Sequence, residues 1–398
     1  MARYGLNAVV IGSGFIGPIH VEALTRAGVR VLGVVGVNED ESRQACENLG
    51  LPRVYGSFEE VLEDDEVHVV HIATPNRFHH PQAAAVLRAG KHVLCEKPLA
   101  MNADEANELV DIAAEAGLAA GVAYNIRFYP LCHEAAAQAQ GAGFGRLFHV
   151  HGSYVQDWLT KPTDYNWRVE AGEGGALRAV ADIGTHWLDL VQFVTGQKIV
   201  SVMADLRTVH PTRHRPLGKA ETFTGSAGAA EQQSEPVDVT TDDCGTVIFR
   251  FADGANGSLW VSQTTAGRKN SVSFEIAGEH KSLAWVSERP NDLWVGHRDE
   301  SSRLQTRDPG QMAPSAQQYA SYPAGHNEGY PDTFKQLFRA FYGYIEAGDF
   351  SAPEPFPTFA DGRHEVLLCD AVSQSHRERR WVDVVSSRTA ALANGEAR

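Results

Sequence analysis

Residues 9–27 read VVIGSGFIGPIHVEALTRA, and this segment narrows the possible folds more than any other in the 398-residue chain. Gly12-Ser13-Gly14-Phe15-Ile16-Gly17 is a G-x-G-x-x-G that follows a β-branched apolar run and opens a helical pattern. That context separates a dinucleotide-binding loop from an ordinary glycine-rich turn. The first glycine permits the tight turn, the second lets backbone approach a pyrophosphate, and the third lets helix and strand pack closely. The start of the helix adds free N–H groups and the positive end of its dipole, both of which attract phosphate. Gly12, Gly14, Phe15, Ile16 and Gly17 are therefore candidate cofactor-binding residues.

The chain around this loop alternates. Residues 6–11, 30–35, 67–73, 92–95 and 118–123 read as strands, and 19–27, 42–50, 81–89 and 103–116 read as helices. Most of the strand runs are continuously apolar, as strands covered on both faces are. The pattern predicts an α/β Rossmann domain, a doubly wound parallel sheet, over residues 1–124. From residue 125 the runs at 147–155, 199–205, 245–251, 257–263, 271–276 and 283–286 alternate more and are separated by turns such as Ala252-Asp253-Gly254. They predict an α+β domain over 125–386 with a large, mainly antiparallel open sheet. Helical patterns at 182–195 and 331–347 interrupt it. The stripe Phe334, Leu337, Phe338, Phe341 and Ile345 fits a helix packed on a sheet. Two polar stretches, 207–236 and 298–325, read as long loops, and 387–398 reads as a frayed tail.

Composition excludes several classes. There are 35 Lys+Arg and 50 Asp+Glu, a net charge of −15, which argues against nucleic acid and anionic membrane as partners. No run has the length and apolarity of a membrane span, and the N-terminus lacks the pattern of a signal peptide. The five cysteines are odd in number, dispersed and without C-x-x-C, which points to a reducing cytoplasm. No metal is expected despite 17 histidines: H-E-x-x-H is absent, and the prolines around His210 and His214 place that pair in a loop.

The second strand of a dinucleotide domain usually ends in an acid that holds the adenosine ribose. Here Gly36 stands near that point, followed by Asn38, with Arg43 the nearest cation. These three are candidate cofactor contacts, and the choice between NAD and NADP stays open.

Three further segments carry chemistry. Ala73-Thr74-Pro75-Asn76-Arg77-Phe78-His79 and Cys95-Glu96-Lys97-Pro98 each follow a strand, where ligands bind in open α/β sheets. Asp182-Ile183-Gly184-Thr185-His186 opens a helix in the second half. Asp182 and His186 are i and i+4, so on an α-helix they share one face, and the carboxylate can orient the imidazole. Lys97 can supply a cation to a substrate oxygen.

With the glycine loop, this set resembles the Gfo/Idh/MocA family, the glucose–fructose oxidoreductase and inositol dehydrogenase group, over nearly the whole chain. The missing acid after the second strand departs from that pattern and bears on cofactor choice. The resemblance implies that Lys97, Asp182 and His186 act together on a substrate hydroxyl. It also implies that Thr74, Asn76, His79, Glu96 and Lys97 lie along the cofactor. Tyr124 and Arg127 at the domain junction, Trp167-Arg168 in an aromatic-rich loop, and His326 are expected near the substrate, as are the catalytic three. The expected activity is NAD(P)-dependent oxidation or reduction at a secondary hydroxyl or keto group of a sugar, glycoside or cyclic polyol, in a homodimer or homotetramer. A redox-recycling glycoside lyase or hydrolase would use the same residues. A non-catalytic dinucleotide sensor usually lacks the Lys or His that this chain has.

Overall fold

The computed structural model describes residues 3–217 and 233–385, so the expected tail lies outside it. Residues group into two compact units: those up to Phe128 with Tyr330–Val366, and Tyr129–Gly329 with the chain from Leu367.

The first unit holds a five-stranded parallel sheet of β1 (Asn7–Ile11), β2 (Arg30–Val35), β3 (Val69–Ile72), β4 (His92–Cys95) and β5 (Ala120–Val122), in the order β2-β1-β3-β4-β5. Helices α1 (Ile16–Ala27), α2 (Glu39–Leu49), α3 (Phe58–Glu63), α4 (His79–Arg88) and α5 (Ala103–Ala116) alternate with the strands. Asn38, Ser57 and Asn102 start α2, α3 and α5 by accepting N–H groups of the first turn. Val9, Val70, Ile72, Val93 and Val122 are buried with Val86 and Leu109 from the helices, as continuous apolar strands require.

The second unit contains α6 (Pro130–Ala139), β6 (Leu147–Val155), α7 (Ala171–Gly174) and α8 (Thr185–Thr195). There follow β7 (Ile199–Arg207), β8 (Thr212–Pro216), β9 (Ser234–Asp238), β10 (Cys244–Phe251), β11 (Asn256–Ser262), β12 (Ser271–Gly278), β13 (Ser282–Val286), β14 (Asp292–Gly296), β15 (Arg303–Thr306) and α9 (Pro314–Gln317). With the terminal β16 (Val382–Asp383), all of these strands but β8 and β9, which pair separately, form a nine-stranded sheet, β15-β14-β13-β12-β6-β11-β10-β7-β16, antiparallel except between β6 and β11. One face buries Val150, Phe249, Leu259, Phe274 and Leu283, and alternate positions face outward.

Three expectations change. The stretch at 207–236 is not all loop: β8 and β9 pair there, two polar, Pro-containing segments that carry no strand signal of their own. Likewise β15 lies inside the expected loop at 298–325. The third concerns the domain division, because α10 (Tyr330–Ala347) groups with the first unit rather than the second. Its apolar stripe is buried, Phe338 packs edge-on against His20 and His71, and Thr333 accepts a hydrogen bond from Asn125 at 2.7 Å. The helix pattern showed what α10 buries but not against which sheet. A final helix, α11 (Phe359–Glu378), was not expected, because Gly362, His364 and Asp370 interrupt its apolar pattern.

Candidate active site

The glycine loop connects β1 to α1 and shows why each glycine is there. A Cβ on Gly12, whose φ is +112°, would fall 2.5 Å from the Ala73 carbonyl oxygen, and one on Gly17 would fall 2.0 Å from that of Gly12. Those two are glycine because the protein itself leaves no room. A Cβ on Gly14 would meet nothing within 4 Å. The fold therefore tolerates a side chain at 14, and the open space above it lies at the N-terminus of α1, which has no acidic residue in its first turn. Phe15 beside it is exposed. These features fit a dinucleotide pyrophosphate.

At the end of β2, Gly36 donates its N–H to Ser42 Oγ at 2.9 Å, and a Cβ there would meet Glu41 Cβ at 2.7 Å and Ser42 N at 3.0 Å. Position 36 thus has no room for the usual ribose-binding acid. Asn38 Oδ1 accepts the Glu41 N–H, and Arg43 pairs with Glu39, so both expected contacts are engaged within α2. The outward-facing position of this turn is Val37, 89% exposed.

After β3, Thr74 donates its hydroxyl to Gln82, and Asn76 is buried at the start of a short 3-10 turn. His79 departs from expectation. It is buried, with one ring nitrogen 2.7 Å from the Pro98 carbonyl and the other 2.9 Å from that of Thr74. Burial favours the neutral ring, which donates to one of the two carbonyls, and both nitrogens face the β3 and β4 turns rather than a ribose. After β4, the buried Glu96 accepts the Lys97 backbone N–H at 3.2 Å, and the Lys97–Pro98 bond is cis. Lys97 is partly buried. Burial, reinforced by the Glu96 charge, pushes the Cys95 thiol well above its usual range, which fits packing rather than nucleophilic chemistry. Tyr124, expected near the substrate, is fully buried among the core side chains of the first unit. Arg127 lies 3.8 Å from Asp361.

In the second unit Asp182 sits in a π-helical turn, Val180–Gly184, that leads into α8, and His186 is buried in the first turn of α8. The helix expected to open at Asp182 begins as this π-turn, so Asp182 lies in the turn and His186 in α8 proper. The Asp182 carboxylate accepts from Arg168 Nε at 3.2 Å and Gln263 Nε2 at 2.8 Å. Arg168 also lies over the Trp167 ring at 4.3 Å, so that predicted pair is brought to Asp182. Tyr154 packs 6.3 Å from the His186 ring and donates its hydroxyl to Asn270 at 2.8 Å. Asn270 also accepts from Gln156, which accepts from the Trp158 indole. His326 is exposed, in a loop gathered by the buried Arg307 through the carbonyls of Tyr322, Pro323 and His326.

A buried ionic net holds the π-turn. Asp242 accepts the N–H groups of Arg178 and Val180 at 2.6 and 2.9 Å. Asp243 pairs with Arg178 and with Arg213, the latter at 2.6 Å, and all three side chains are fully buried. Burial pushes both acids up. In Asp242 burial wins, whereas in Asp243 the guanidinium groups of Arg178 and Arg213 and the N–H of His210 hold the carboxyl below its usual range. Gln263, Asn270 and this net were missed by sequence reasoning. The adjacent Asp242-Asp243 ahead of a strand was the one visible hint.

Among the described residues no cluster of His, Cys, Asp or Glu could hold a metal, and no helix is long and apolar enough to cross a membrane. Residues 6–124 match the oxidoreductase family model with an NAD-binding Rossmann fold, and residues 133–284 match the GFO/IDH/MocA C-terminal domain. The chain is 32% identical to levoglucosan dehydrogenase of Pseudarthrobacter phenanthrenivorans over 95% of its own length and 98% of that protein. Its fold matches a levoglucosan dehydrogenase complex with NADH and L-sorbose, with a TM-score of 0.85 at 28% identity, covering 96% and 99% of the two chains. It also matches an inositol dehydrogenase homologue from Azotobacter vinelandii complexed with NAD+, with a TM-score of 0.83 at 25% identity, covering 96% and 98%. The protein belongs to the GFO/IDH/MocA family of oxidoreductases. It is an NAD(P)-dependent enzyme of that family.

Proposed function

We propose that this protein oxidises a secondary hydroxyl of a sugar, anhydrosugar or cyclic polyol, or reduces the matching ketone, with Lys97, Asp182 and His186 as its catalytic residues. Bound NAD or NADP would accept or return the hydride. His186 takes the hydroxyl proton or gives it back, and Asp182 supplies a negative charge in the same segment. Lys97 offers a cation to the oxygen on which charge develops. The observation that carries the reading is the anchoring of Asp182 by Arg168 and Gln263. The phenol, amides and indole of Tyr154, Asn270, Gln156 and Trp158 add donors and an apolar ring face suited to a polyhydroxyl ligand. The names of the relatives support the same substrate class.

The test is a panel of sugars, anhydrosugars and polyols with each cofactor, followed at the nicotinamide absorbance band. Net, stoichiometric cofactor reduction is expected with at least one substrate. Turnover without net absorbance change would instead indicate a redox-recycling lyase. The protein is proposed to work in a reducing cytoplasm, in keeping with its five free cysteines. We also propose that a second copy of the chain covers the outer sheet face, where Ile248, Trp260, Trp294 and Leu304 are exposed. Trp260→Glu should then lower the solution mass measured by light scattering.

A further inference from the structure

Four titratable side chains of the first unit form a buried line. The Tyr342 hydroxyl is 3.1 Å from His71 Nε2, His71 Nδ1 is 3.0 Å from His20 Nδ1, and His20 Nε2 is 3.0 Å from Glu96 Oε1. Tyr342, His71 and His20 are wholly buried, and Glu96 is 7% exposed. His71 occupies β3 between Val70 and Ile72 and is paired in register with Val10 and Leu94, all aliphatic. Phe338 closes over both imidazoles, and Phe334 packs on His20. Polar groups in such a place are unfavourable unless each donor and acceptor is matched.

Matching them fixes where the protons are. The Tyr342 hydroxyl has a single proton, and among the described residues its one hydrogen-bond partner is His71 Nε2. It therefore donates there. His71, neutral, then carries its own proton on Nδ1 and donates to His20 Nδ1. His20 in turn carries its proton on Nε2 and donates to Glu96, which accepts as a carboxylate. Burial, with the nearby His20, holds the His71 pKa well below the usual range, in agreement with a neutral ring. Reversing the line, or protonating either imidazole, would leave the buried Tyr342 hydroxyl proton without an acceptor, and the N–H groups that Glu96 accepts from His20 and Lys97 favour its ionised form. The other carboxylate oxygen of Glu96 takes the Lys97 backbone N–H.

We propose that Tyr342, His71 and His20 are positioning residues that keep Glu96 ionised and fixed beside Lys97, and that this charge raises the affinity for oxidised nicotinamide cofactor relative to reduced. The inference rests on reading the β4 edge as part of the cofactor site. The oxidised nicotinamide ring is cationic and the reduced ring neutral, so a fixed carboxylate nearby stabilises only the first.

The experiment measures the dissociation constants of NAD+ and NADH, the latter by nicotinamide fluorescence and the former by competition. Glu96→Gln should weaken NAD+ about tenfold while changing NADH by less than about twofold. Tyr342→Phe removes the terminal donor and should move the ratio of the two constants in the same direction by about two- to threefold. A purely structural role would weaken both cofactors alike. An unchanged ratio in Glu96→Gln overturns the inference, and if that variant fails to fold, an unchanged ratio in Tyr342→Phe does so. Wild-type protein that binds neither dinucleotide would instead overturn the cofactor site itself.

Discussion

The loop after β1 and the π-turn before α8 are built from different materials. The first is shaped by side chains that are missing: Gly12 and Gly17 by contact with neighbouring backbone, Gly14 by open space. The second is held by side chains that are charged and buried, with Asp242 on two backbone N–H groups and Asp243 between Arg178 and Arg213. A backbone cradle can lose its ligand and remain folded. A buried ionic net cannot lose a member without leaving an uncompensated charge, so function and stability are joined there. The contrast can be broken from either side.

The largest effect is expected at Gly14. Gly14→Val should abolish measurable NAD binding by calorimetric titration while the thermal unfolding midpoint stays near that of the wild type, because the added atoms enter only the space of the pyrophosphate. A lowered midpoint with binding retained would show that position 14 serves the fold.

On the other side, Asp243→Asn should destabilise the second unit by about 3–5 kcal/mol at pH 7, read by denaturant unfolding, because two buried guanidinium groups lose their counter-charge. The sign of the pH dependence follows from the depressed Asp243 pKa. Its contribution is present above the usual aspartate range, about pH 4, and is lost as pH falls through the lower folded value. Asp242, whose pKa is raised, acts oppositely: its cost is present at neutral pH and is relieved on acidification. Wild-type stability should therefore fall more steeply than that of Asp243→Asn below about pH 4. Parallel curves would remove Asp243 from this role.

The same contrast explains what the sequence made legible. The cradle lies within six consecutive residues, and its strand and helix flank it directly, so local pattern was enough. Asp182 and His186 were also visible, but their geometry was not. A π-turn leaves no mark in the spacing, and the partners of Asp182 come from positions 168 and 263. The ionic net joins 178, 213, 242 and 243, and Tyr342 meets His71 across 271 positions of chain. Periodicity does not report such pairings. His79 and Tyr124 illustrate the opposite limit: they occupy family-like positions, but their surroundings engage or bury them.

A smaller effect separates the two turns at the end of β2. Val37 is exposed, whereas Gly36 is closed by α2. Val37→Asp should raise the preference for NAD over NADP, as a ratio of kcat/KM, by about tenfold through repulsion of the 2′-phosphate. Gly36→Asp should lower the unfolding midpoint instead. An unmoved ratio in Val37→Asp would place the ribose elsewhere.

The most direct test of the proposed chemistry is single-turnover hydride transfer, at saturating cofactor and substrate, in His186→Ala. The account predicts a rate lower by about 10²–10⁴-fold with cofactor affinity unchanged. A rate close to wild type would contradict it, because the proton would then be leaving by another residue.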